Sequence, residues 1–267
     1  MKILLAGCGG TGIEILKLLS LYREEYVITV IDNDKIEIVN LNRLFCFTER
    51  DVGLYKSEKA ASIFKCKYIV DDILELTEKD IEEFDCVISA VDNIETRMHL
   101  NFIFKKSKCN IFLDCGVYGD VCHALMTNRD GFCLYCIKEL YQKENNLGLC
   151  SLKYLKKTIN KENRFELLKS HVNYYKSEGL KPEEIINKFN EQVNSELQTN
   201  LKEVEHLYEN IVPSVCYTNS ICASLVVNFL RSKTFGVFIN FDGSGLNTNK
   251  IQIARDDTCF LCRKYDT

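Results

Sequence analysis

The glycine-rich segment Gly7-Cys8-Gly9-Gly10-Thr11-Gly12 constrains the fold of this chain more than any other feature. It follows a short apolar run at residues 2–6 and precedes residues 13–22, in which apolar side chains recur at helical spacing. A second apolar, β-branched run at residues 26–31 ends at Asp32. Strand, glycine turn, helix and strand in this order predict a βαβ unit of a parallel sheet.

The same unit predicts a nucleotide site beside the glycine turn. Glycines at positions 7, 9, 10 and 12 let the backbone approach a phosphate, and the following helix offers amide donors and the positive end of its dipole. Asp32 stands where a carboxylate can accept hydrogen bonds from ribose hydroxyls. This much of the pattern is shared by NAD, FAD, S-adenosylmethionine and ATP sites, so a dinucleotide-dependent oxidoreductase is still an alternative at this point.

The rest of the chain predicts an α/β domain with a helical insertion. Further strands are predicted at residues 68–70, 86–90, 111–114, 236–241 and 251–254, and helices at residues 57–65 and 94–106. Residues 143–207 are polar and helical in character, and Pro182 marks one helix start because proline is favoured in the first turn. We therefore predict one domain in two parts, residues 1–142 and 208–267, separated by an insertion at residues 143–207.

Length and charge exclude several classes of protein. A chain of 267 residues can bury a substantial core, and its net charge of −4 argues against nucleic acid or an anionic membrane as the main partner. No apolar run reaches the length of a membrane span, and the N-terminal run is too short for a signal peptide. We expect a protein of the cytosol, with the nucleus as an open alternative.

Two cysteine pairs of identical spacing, among fourteen cysteines, predict a metal site. These are Cys133-x-x-Cys136 and Cys259-x-x-Cys262, and four thiolates match a tetrahedral structural zinc site. Such a zinc ion would join the end of the chain to its middle and would leave no ligand position open for catalysis. Two unrelated pairs of buried cysteines are the alternative, whereas a redox pair is disfavoured because neither pair opens a helix after a strand.

The segment after Asp32 favours one function over the others. It contains Asp32-Asn33-Asp34, then Asn40-Leu41-Asn42-Arg43, then Asp51-Val52-Gly53 with Lys56 shortly after. This ordered pattern resembles the adenylation signature of the ubiquitin-activating superfamily, which includes the bacterial molybdopterin and thiamine sulfur-carrier activators. The resemblance implies a Rossmann-like adenylation domain with a mostly parallel sheet, which uses ATP and Mg²⁺ to adenylate the C-terminus of a ubiquitin-like protein. The alternative is that Arg43 and Lys56 are solvated surface charges.

The resemblance also implies roles for individual residues. It assigns phosphate contacts to Asn40, Arg43 and Lys56, Mg²⁺ to Asp92, and the ribose to Asp32. Two cations are needed because a carboxylate and a triphosphate, both anions, must meet for the reaction to occur. Asp34 lies in the motif without a clear role, and Leu44 stands where the family has a glutamine.

Cys150 is the predicted nucleophile, near the beginning of the insertion. The resemblance singles it out among the cysteines, because the family places its catalytic cysteine shortly after the first C-x-x-C pair in a similar local sequence, here Cys150-Ser151-Leu152. Its thiolate would capture the adenylated modifier as a thioester. A buried structural cysteine is the alternative, and the family's preceding proline is replaced by Gly148-Leu149.

Three further segments resemble the catalytic subunit of the neddylation branch: Cys133–Tyr141, the step from Cys136 to Cys150, and residues 211–219. This resemblance implies a NEDD8-type modifier, a conjugating enzyme that receives it, and a second adenylation-like subunit. That subunit would form the heterodimer and supply an arginine that relatives bring to the ATP phosphates.

Two departures bear on this assignment. Ala124 stands where the neddylation branch has an arginine that helps to reject ubiquitin. The sequence ends shortly after Cys262, where relatives continue into a ubiquitin-fold domain, so we expect either truncation or recruitment of the conjugating enzyme by other surfaces. The SUMO and ubiquitin branches are alternatives, although their insertions are longer.

The remaining alternatives lack a use for some of these residues. A sulfur-carrier adenylyltransferase shares the nucleotide motif and the cysteine pairs but does not need a helical insertion around Cys150. An oxidoreductase has no use for Arg43 together with Lys56. A non-catalytic partner subunit usually loses the glycines, the cations or the nucleophile, and this chain retains all three.

Overall fold

A computed structural model of the chain describes residues 1–22, 24–37, 40–41, 43–142, 164, 168, 171–172, 175, 179–191, 193, 198–208, 216–243 and 245–263. The chain divides into two compact units, one made of Met1–Lys138 with Ser214–Thr267 and the other of Glu139–Pro213. Among the helices in the described ranges, none has both the length and the apolar character that crossing a bilayer requires.

The first unit is built on one eight-stranded sheet. Its strands are β1 (Lys2–Ala6), β2 (Val27–Ile31), β3 (Lys67–Ile69), β4 (Cys86–Ser89), β5 (Ile111–Tyr118), β6 (Val121–Asn128), β7 (Val237–Asp242) and β8 (Asn247–Gln252). They lie in the order β3-β2-β1-β4-β5-β6-β7-β8. Strands β1 to β5 pair in parallel, whereas β6, β7 and β8 are added antiparallel. The predicted α/β fold with a mostly parallel sheet is confirmed.

The α-helices whose bounds are described follow the same chain order. They are α1 (Gly10–Ser20), α2 (Lys56–Phe64), α3 (Ile94–Lys106), α4 (Lys138–Gln142), α5 (Pro182–Asn190), α6 (Leu201–Tyr208) and α7 (Cys216–Ser232). Helices α1, α2 and α7 bury their apolar sides in one cluster with alternate residues of the strands. Helix α3 covers the other face, where the rings of Phe104 and Phe112 lie 5.2 Å apart.

The register of the parallel strands determines where a ligand can bind. Ala6, the last residue of β1, pairs with Ile31 of β2 and with Ser89 of β4. The three strands therefore end at one edge of the sheet. The chain leaves β1 and β4 toward opposite faces there, through α1 and α3, which is where open α/β sheets bind their ligands.

Several elements differ from the sequence prediction, among them β5, which continues beyond residue 114 to Tyr118. Helix α1 begins at Gly10, three residues before its predicted start, because the glycines form its first turn. The last strand, predicted at residues 251–254, is β8 (Asn247–Gln252), which is exposed along its whole length. Strand β6 (Val121–Asn128) was not predicted, and it completes a two-residue hairpin with β5 through a turn that contains Gly119 at φ 56°.

The second unit has a small apolar core of its own. Ile185 and Phe189 of α5 are fully buried with Leu168, Val172 and Val204. Helix α5 begins at the proline predicted to open it and ends at Asn190, so Val193 lies beyond its end. Val193 still packs against the core.

Candidate nucleotide site and cysteine cluster

Three of the four glycines in the turn lie against neighbouring atoms, and the fourth does not. Gly7 has φ 97°, a left-handed conformation that favours glycine, and a Cβ there would lie 2.6 Å from the carbonyl oxygen of Ala90. A Cβ on Gly12 would overlap the carbonyl oxygen of Gly7, and one on Gly10 would lie 2.7 Å from Nδ2 of Asn219. Gly9 differs, since no described residue has an atom within 4 Å of the corresponding position. The open side of the turn therefore lies at Gly9.

Asp32 is held at the end of β2 by two backbone amides. The amide of Cys8 donates to Oδ2 at 2.6 Å and the amide of Asp34 donates to Oδ1 at 2.8 Å. Burial raises the pKa of Asp32 above its ordinary value, while the two amide hydrogen bonds act in the opposite direction. Because each carboxylate oxygen accepts more than one hydrogen bond, Asp32 can also bind ribose hydroxyls.

Lys56 begins α2 and is almost buried, with 9% of its surface exposed. Its Nζ donates to Oδ2 of Asp34 at 2.6 Å, and its amide donates to the carbonyl oxygen of Asp34 at 2.9 Å. Asp34 had no clear role in the sequence analysis, and in the structure its carboxylate pairs with the lysine. Since the side chain of Asp34 is 65% exposed, this ion pair can open to release the ammonium to another anion.

Asn40 and Arg43 lie in a turn between β2 and α2. Asn40 is buried, its Oδ1 accepts a hydrogen bond from the amide of Glu37 at 3.0 Å, and its carbonyl oxygen accepts from the amide of Arg43 at 3.1 Å. Leu44, at the position of the family's glutamine, is buried in the apolar core. Leu44 therefore has a packing role, and Asn40 stabilises the turn that carries Arg43.

Asp92 is exposed and follows β4 by three residues. The carbonyl of Ala90, two residues before it, lies against Gly7, which places Asp92 at the same sheet edge as the glycine turn. The next residue, Asn93, caps α3 by accepting a hydrogen bond from the amide of Thr96 at 2.8 Å. Asp92 is thus a solvent-accessible carboxylate, an oxygen ligand of the kind that Mg²⁺ prefers.

The four cysteines of the two C-x-x-C pairs meet at one point. The Sγ atoms of Cys133 and Cys136 are 3.6 Å apart, Cys133 and Cys259 are 3.5 Å apart, and Cys136 and Cys262 are 3.5 Å apart. All four Sγ atoms lie within 4.8 Å of one another. Four sulfurs at the usual Zn–S distance would be separated by about 3.8 Å, so the cluster fits a tetrahedral zinc ion.

The surroundings of the cluster affect its thiols unequally. Hydrogen bonding from Cys133 lowers the pKa of Cys262, whereas the hydrogen bond with Cys262 raises the pKa of Cys133 and burial raises that of Cys136. Lys105 lies close by, where Nζ donates to the carbonyl oxygens of Arg129 and Gly131 at 2.6 and 2.7 Å. Burial lowers the pKa of Lys105, and the neighbouring thiols act to raise it. Sequence reasoning missed Lys105, because only the folded chain brings α3 beside the cluster.

The predicted nucleophile and part of the family-like stretch at residues 211–219 lie outside the described part of the chain. Cys150 falls in residues 143–163, and the start of the family-like stretch falls in residues 209–215. The described part of that stretch begins at Cys216 and includes Asn219, whose amide touches the glycine turn.

An open α/β sheet with a glycine turn after β1, a buried carboxylate after β2 and a lysine at the start of the next helix defines a doubly wound, Rossmann-like α/β protein. Within that class, the ThiF family model matches residues 1–261, and the chain belongs to the ThiF family. The superfamily resemblance read from the segment between Asp32 and Lys56 is thereby confirmed.

Curated relatives include enzymes of ubiquitin-like protein activation. The NEDD8-activating enzyme E1 catalytic subunit of Arabidopsis thaliana is 26% identical over 299 residues, which cover 98% of this chain and 65% of the relative. The protein of the same name from Saccharomyces cerevisiae is 33% identical over 132 residues, 44% of each chain. SUMO-activating enzyme subunit 2 of Dictyostelium discoideum is 38% identical over 109 residues, 38% of this chain and 16% of that protein. The chain therefore covers 65% or less of the length of these relatives.

Solved structures of E. coli MccB share the fold. One matches with a TM-score of 0.62 and 17% identity, covering all of this chain and 66% of MccB. Another, of MccB with ATP, matches with a TM-score of 0.60 and 16% identity over 98% of this chain and 66% of MccB. At this level of identity the likeness shows a common fold.

Proposed function

We propose that this chain uses ATP to activate a ubiquitin-like modifier by adenylating the C-terminus of the modifier. The observation that carries the proposal is the almost buried Lys56 ammonium beside the glycine turn. Burial raises the pKa values of both Asp32 and Cys8. The positive charge of Lys56 acts to lower both pKa values. A nearly buried cation at this edge of the sheet, whose partner Asp34 has a 65% exposed side chain, is suited to a phosphate ligand.

The chemistry assigns a task to each residue at this edge. The modifier's terminal carboxylate attacks the α-phosphorus of ATP, the bond to the β-phosphate oxygen breaks, and pyrophosphate leaves. Lys56 exchanges Asp34 for phosphate oxygens, and Arg43 offsets further charge as the two anions meet. The amides at the start of α1 bind phosphate through the open side at Gly9, and Asp32 binds the ribose. When bound, Mg²⁺ on Asp92 would offset the charge of the triphosphate.

The second proposed step is thioester formation on Cys150. Its thiolate attacks the carbonyl carbon of the acyl-adenylate, AMP leaves, and the modifier is held as a thioester that a conjugating enzyme can receive. This proposal rests on the position of Cys150 after the first cysteine pair and on the relatives named as catalytic subunits.

A NEDD8-type modifier and a second adenylation-like subunit complete the proposed system. The names of the relatives that match 98% of the chain support the modifier, while a SUMO-activating relative keeps that branch as the alternative. Ala124, at the position where the neddylation branch has its selective arginine, is fully buried in β6. Its side chain therefore cannot contact a modifier, and selection must depend on other residues.

We also propose that the four-cysteine cluster holds a structural zinc ion. Its geometry fits, and all four ligand positions of a tetrahedral ion would be filled by Cys133, Cys136, Cys259 and Cys262. The ion would then stabilise the attachment of the chain's last described residues to the segment after β6.

The function can be tested with the chain, candidate second subunits, candidate modifiers, ATP and Mg²⁺. A thiol-sensitive conjugate on a non-reducing gel is expected, and Cys150→Ala should abolish it while sparing ATP–pyrophosphate exchange. Asp92→Ala should abolish both activities. Cys216→Ala, which removes an exposed cysteine outside the site, should change neither. If no combination supports modifier-dependent exchange, the proposed function is wrong.

A further inference from the structure

Arg97 of α3 is a buried cation whose guanidinium joins the middle of β5 to the segment that follows β4. Its Nη1 donates to both carboxylate oxygens of Asp114 on β5, at 3.0 and 2.9 Å, and to the carbonyl oxygen of Cys115 at 2.6 Å. Its Nη2 donates to the carbonyl oxygen of Val91. The side chain is 10% exposed. One guanidinium thus connects β5 to the residue that immediately precedes Asp92.

The anchor of this guanidinium is itself fixed. Asp114 is fully buried, and burial alone would raise its pKa, but the charge of Arg97 and then the contact with His123 hold the pKa below the ordinary value. Nε2 of His123 lies 3.4 Å from the same carboxylate. Gly116 leaves the space for these groups, since a Cβ there would lie 2.8 Å from Nη2 of Arg97 and 2.6 Å from Cε1 of His123.

Val91, whose carbonyl accepts the hydrogen bond from Arg97, lies just beyond the end of β4. The pairing of β4 with both neighbouring strands ends at Ser89, and the amide of Ala90 makes one further bond, to the carbonyl oxygen of Ala6 at 2.9 Å. Val91 comes next, and its carbonyl is oriented by Arg97 rather than by a neighbouring strand. The direction of the following residue, Asp92, therefore depends on this bond.

We propose that Arg97 is a positioning residue for the metal site: by fixing the carbonyl of Val91 it orients the Asp92 carboxylate before Mg²⁺ binds. The inference rests on the proposed role of Asp92 as the magnesium ligand. A ligand whose backbone is already ordered loses less conformational entropy when the ion binds, and partners that orient metal ligands commonly change metal affinity when they are replaced.

A purely structural role predicts a different result. If Arg97 only neutralises Asp114 in the protein interior, replacing it lowers the free energy of unfolding but leaves the metal affinity of the folded chain unchanged. Lysine separates the two roles, because its single ammonium lacks the planar fork that reaches both Asp114 and Val91 at once.

The test is titration of Mn²⁺, detected by its electron paramagnetic resonance signal, into the full chain saturated with a non-hydrolysable ATP analogue. Arg97→Lys should weaken Mn²⁺ binding about tenfold, with affinity for the metal-free nucleotide unchanged. Asp114→Asn, which keeps the size of the anchor but removes its charge, should weaken Mn²⁺ binding in the same direction and provides the test if the lysine variant does not fold. Arg231→Lys, on α7 beside Tyr22, is the matched control and should bind as the wild type does.

Asp92→Asn distinguishes a failure of the positioning role of Arg97 from a failure of the metal role of Asp92. If it weakens Mn²⁺ binding while the folded Arg97 and Asp114 variants bind normally, the positioning role is overturned and the proposed function is untouched. If Asp92→Asn itself binds Mn²⁺ as the wild type does, the metal role of Asp92 fails, and the inference about Arg97 fails with it.

Discussion

Thr11 donates a hydrogen bond from Oγ1 to Oδ1 of Asn219 at 2.9 Å, although 208 positions separate the two residues in the chain. Thr11 lies in the first turn of α1 and Asn219 in the first turn of α7. The nucleotide turn is therefore completed by a helix that the chain forms only after the second unit. Residues far downstream determine the shape of a phosphate site whose sequence signature lies within the first twelve residues.

Asn219 also lies against Gly10. We therefore predict that the effects of substitutions at these two positions on stability are coupled. Gly10→Ala should destabilise the chain by about 1–3 kcal/mol, because its methyl group would meet the amide of Asn219, and Asn219→Ala should cost about 1–3 kcal/mol through the lost hydrogen bond. In the double variant the obstructing amide is absent, so the alanine at position 10 should cost much less. Urea unfolding of the four proteins measures the coupling. Strictly additive losses would contradict the contact.

The glycines at positions 9 and 12 should respond oppositely to alanine. Gly12→Ala places a methyl group on the carbonyl oxygen of Gly7 and should lower the free energy of unfolding by about 3 kcal/mol. Gly9→Ala meets no described atom, and the backbone there is extended at φ −75° and ψ −169°, so stability should change by less than about 0.5 kcal/mol.

Nucleotide binding separates the two variants further. Gly9→Ala should weaken MgATP binding about tenfold, which corresponds to 1.4 kcal/mol, because the methyl group occupies the open side of the turn. Isothermal titration calorimetry of the folded variant measures this effect. Unchanged affinity would show that phosphate does not approach the turn at position 9.

The zinc proposal predicts metal content and stability together. The purified chain should hold about one zinc ion, and Cys259→Ser should remove it and lower the unfolding midpoint, because metal binding contributes to folding where no site exists in the unfolded chain. Elemental analysis and thermal unfolding measure both effects. Cys216→Ser, at an exposed cysteine outside the cluster, should change neither quantity. Full zinc content in Cys259→Ser would refute the assignment.

Asp51 predicts a specific loss of stability in acid. Its carboxylate pairs with Nζ of Lys59 at 2.7 Å and accepts from the amide and hydroxyl of Thr48 at 2.8 and 2.9 Å. These contacts lower the pKa of Asp51 from 3.8 to about 2, and the contact with Lys59 has the largest effect. A carboxyl group whose pKa is lower in the folded chain than in the unfolded chain stabilises the native state. This stabilisation is complete at pH values above the pKa of the unfolded chain. The contribution is lost as the pH falls from about 4 to about 2.

Comparison with Asp51→Asn isolates this contribution. The difference in unfolding free energy between wild type and variant should be constant above about pH 5 and shrink as the pH falls through that window, as measured by urea unfolding at a series of pH values. Lys59→Met should flatten the pH dependence of the wild-type carboxylate, since the largest cause of the lowered pKa is removed. A difference that grows in acid would contradict the sign of the shift.

The parts of the fold that local pattern determines were predicted from the sequence. The apolar runs of β1 and β2 and the whole of α3 were found within a residue or two, because strand and helix periodicity there agree with burial. Strand β6 was missed although the two-residue turn Gly119-Asp120 between two apolar runs is a hairpin signal. Strand β8 was misplaced because its exposed, polar sequence carries no hydrophobic pattern.

Part of the candidate site could likewise be predicted from the sequence, and part could not. Asp32 and the glycines follow from one local motif, whereas the bonds of Arg97 to Asp114 and Val91 depend on how α3 crosses the sheet. A lone arginine in a helix carries no sequence signal of burial, since arginine is usually exposed. Contacts made across the sheet could be found only after the strand order was known.

The pairing of β6 with β7 has a consequence for how the protein is made. The whole second unit is translated between these two neighbouring strands, so β6 emerges from the ribosome long before its antiparallel partner exists. During that interval the nascent chain carries an unpaired strand edge, the feature through which chains most readily associate wrongly. Chaperone protection of the nascent chain should therefore matter most while residues 129–236 are being synthesised.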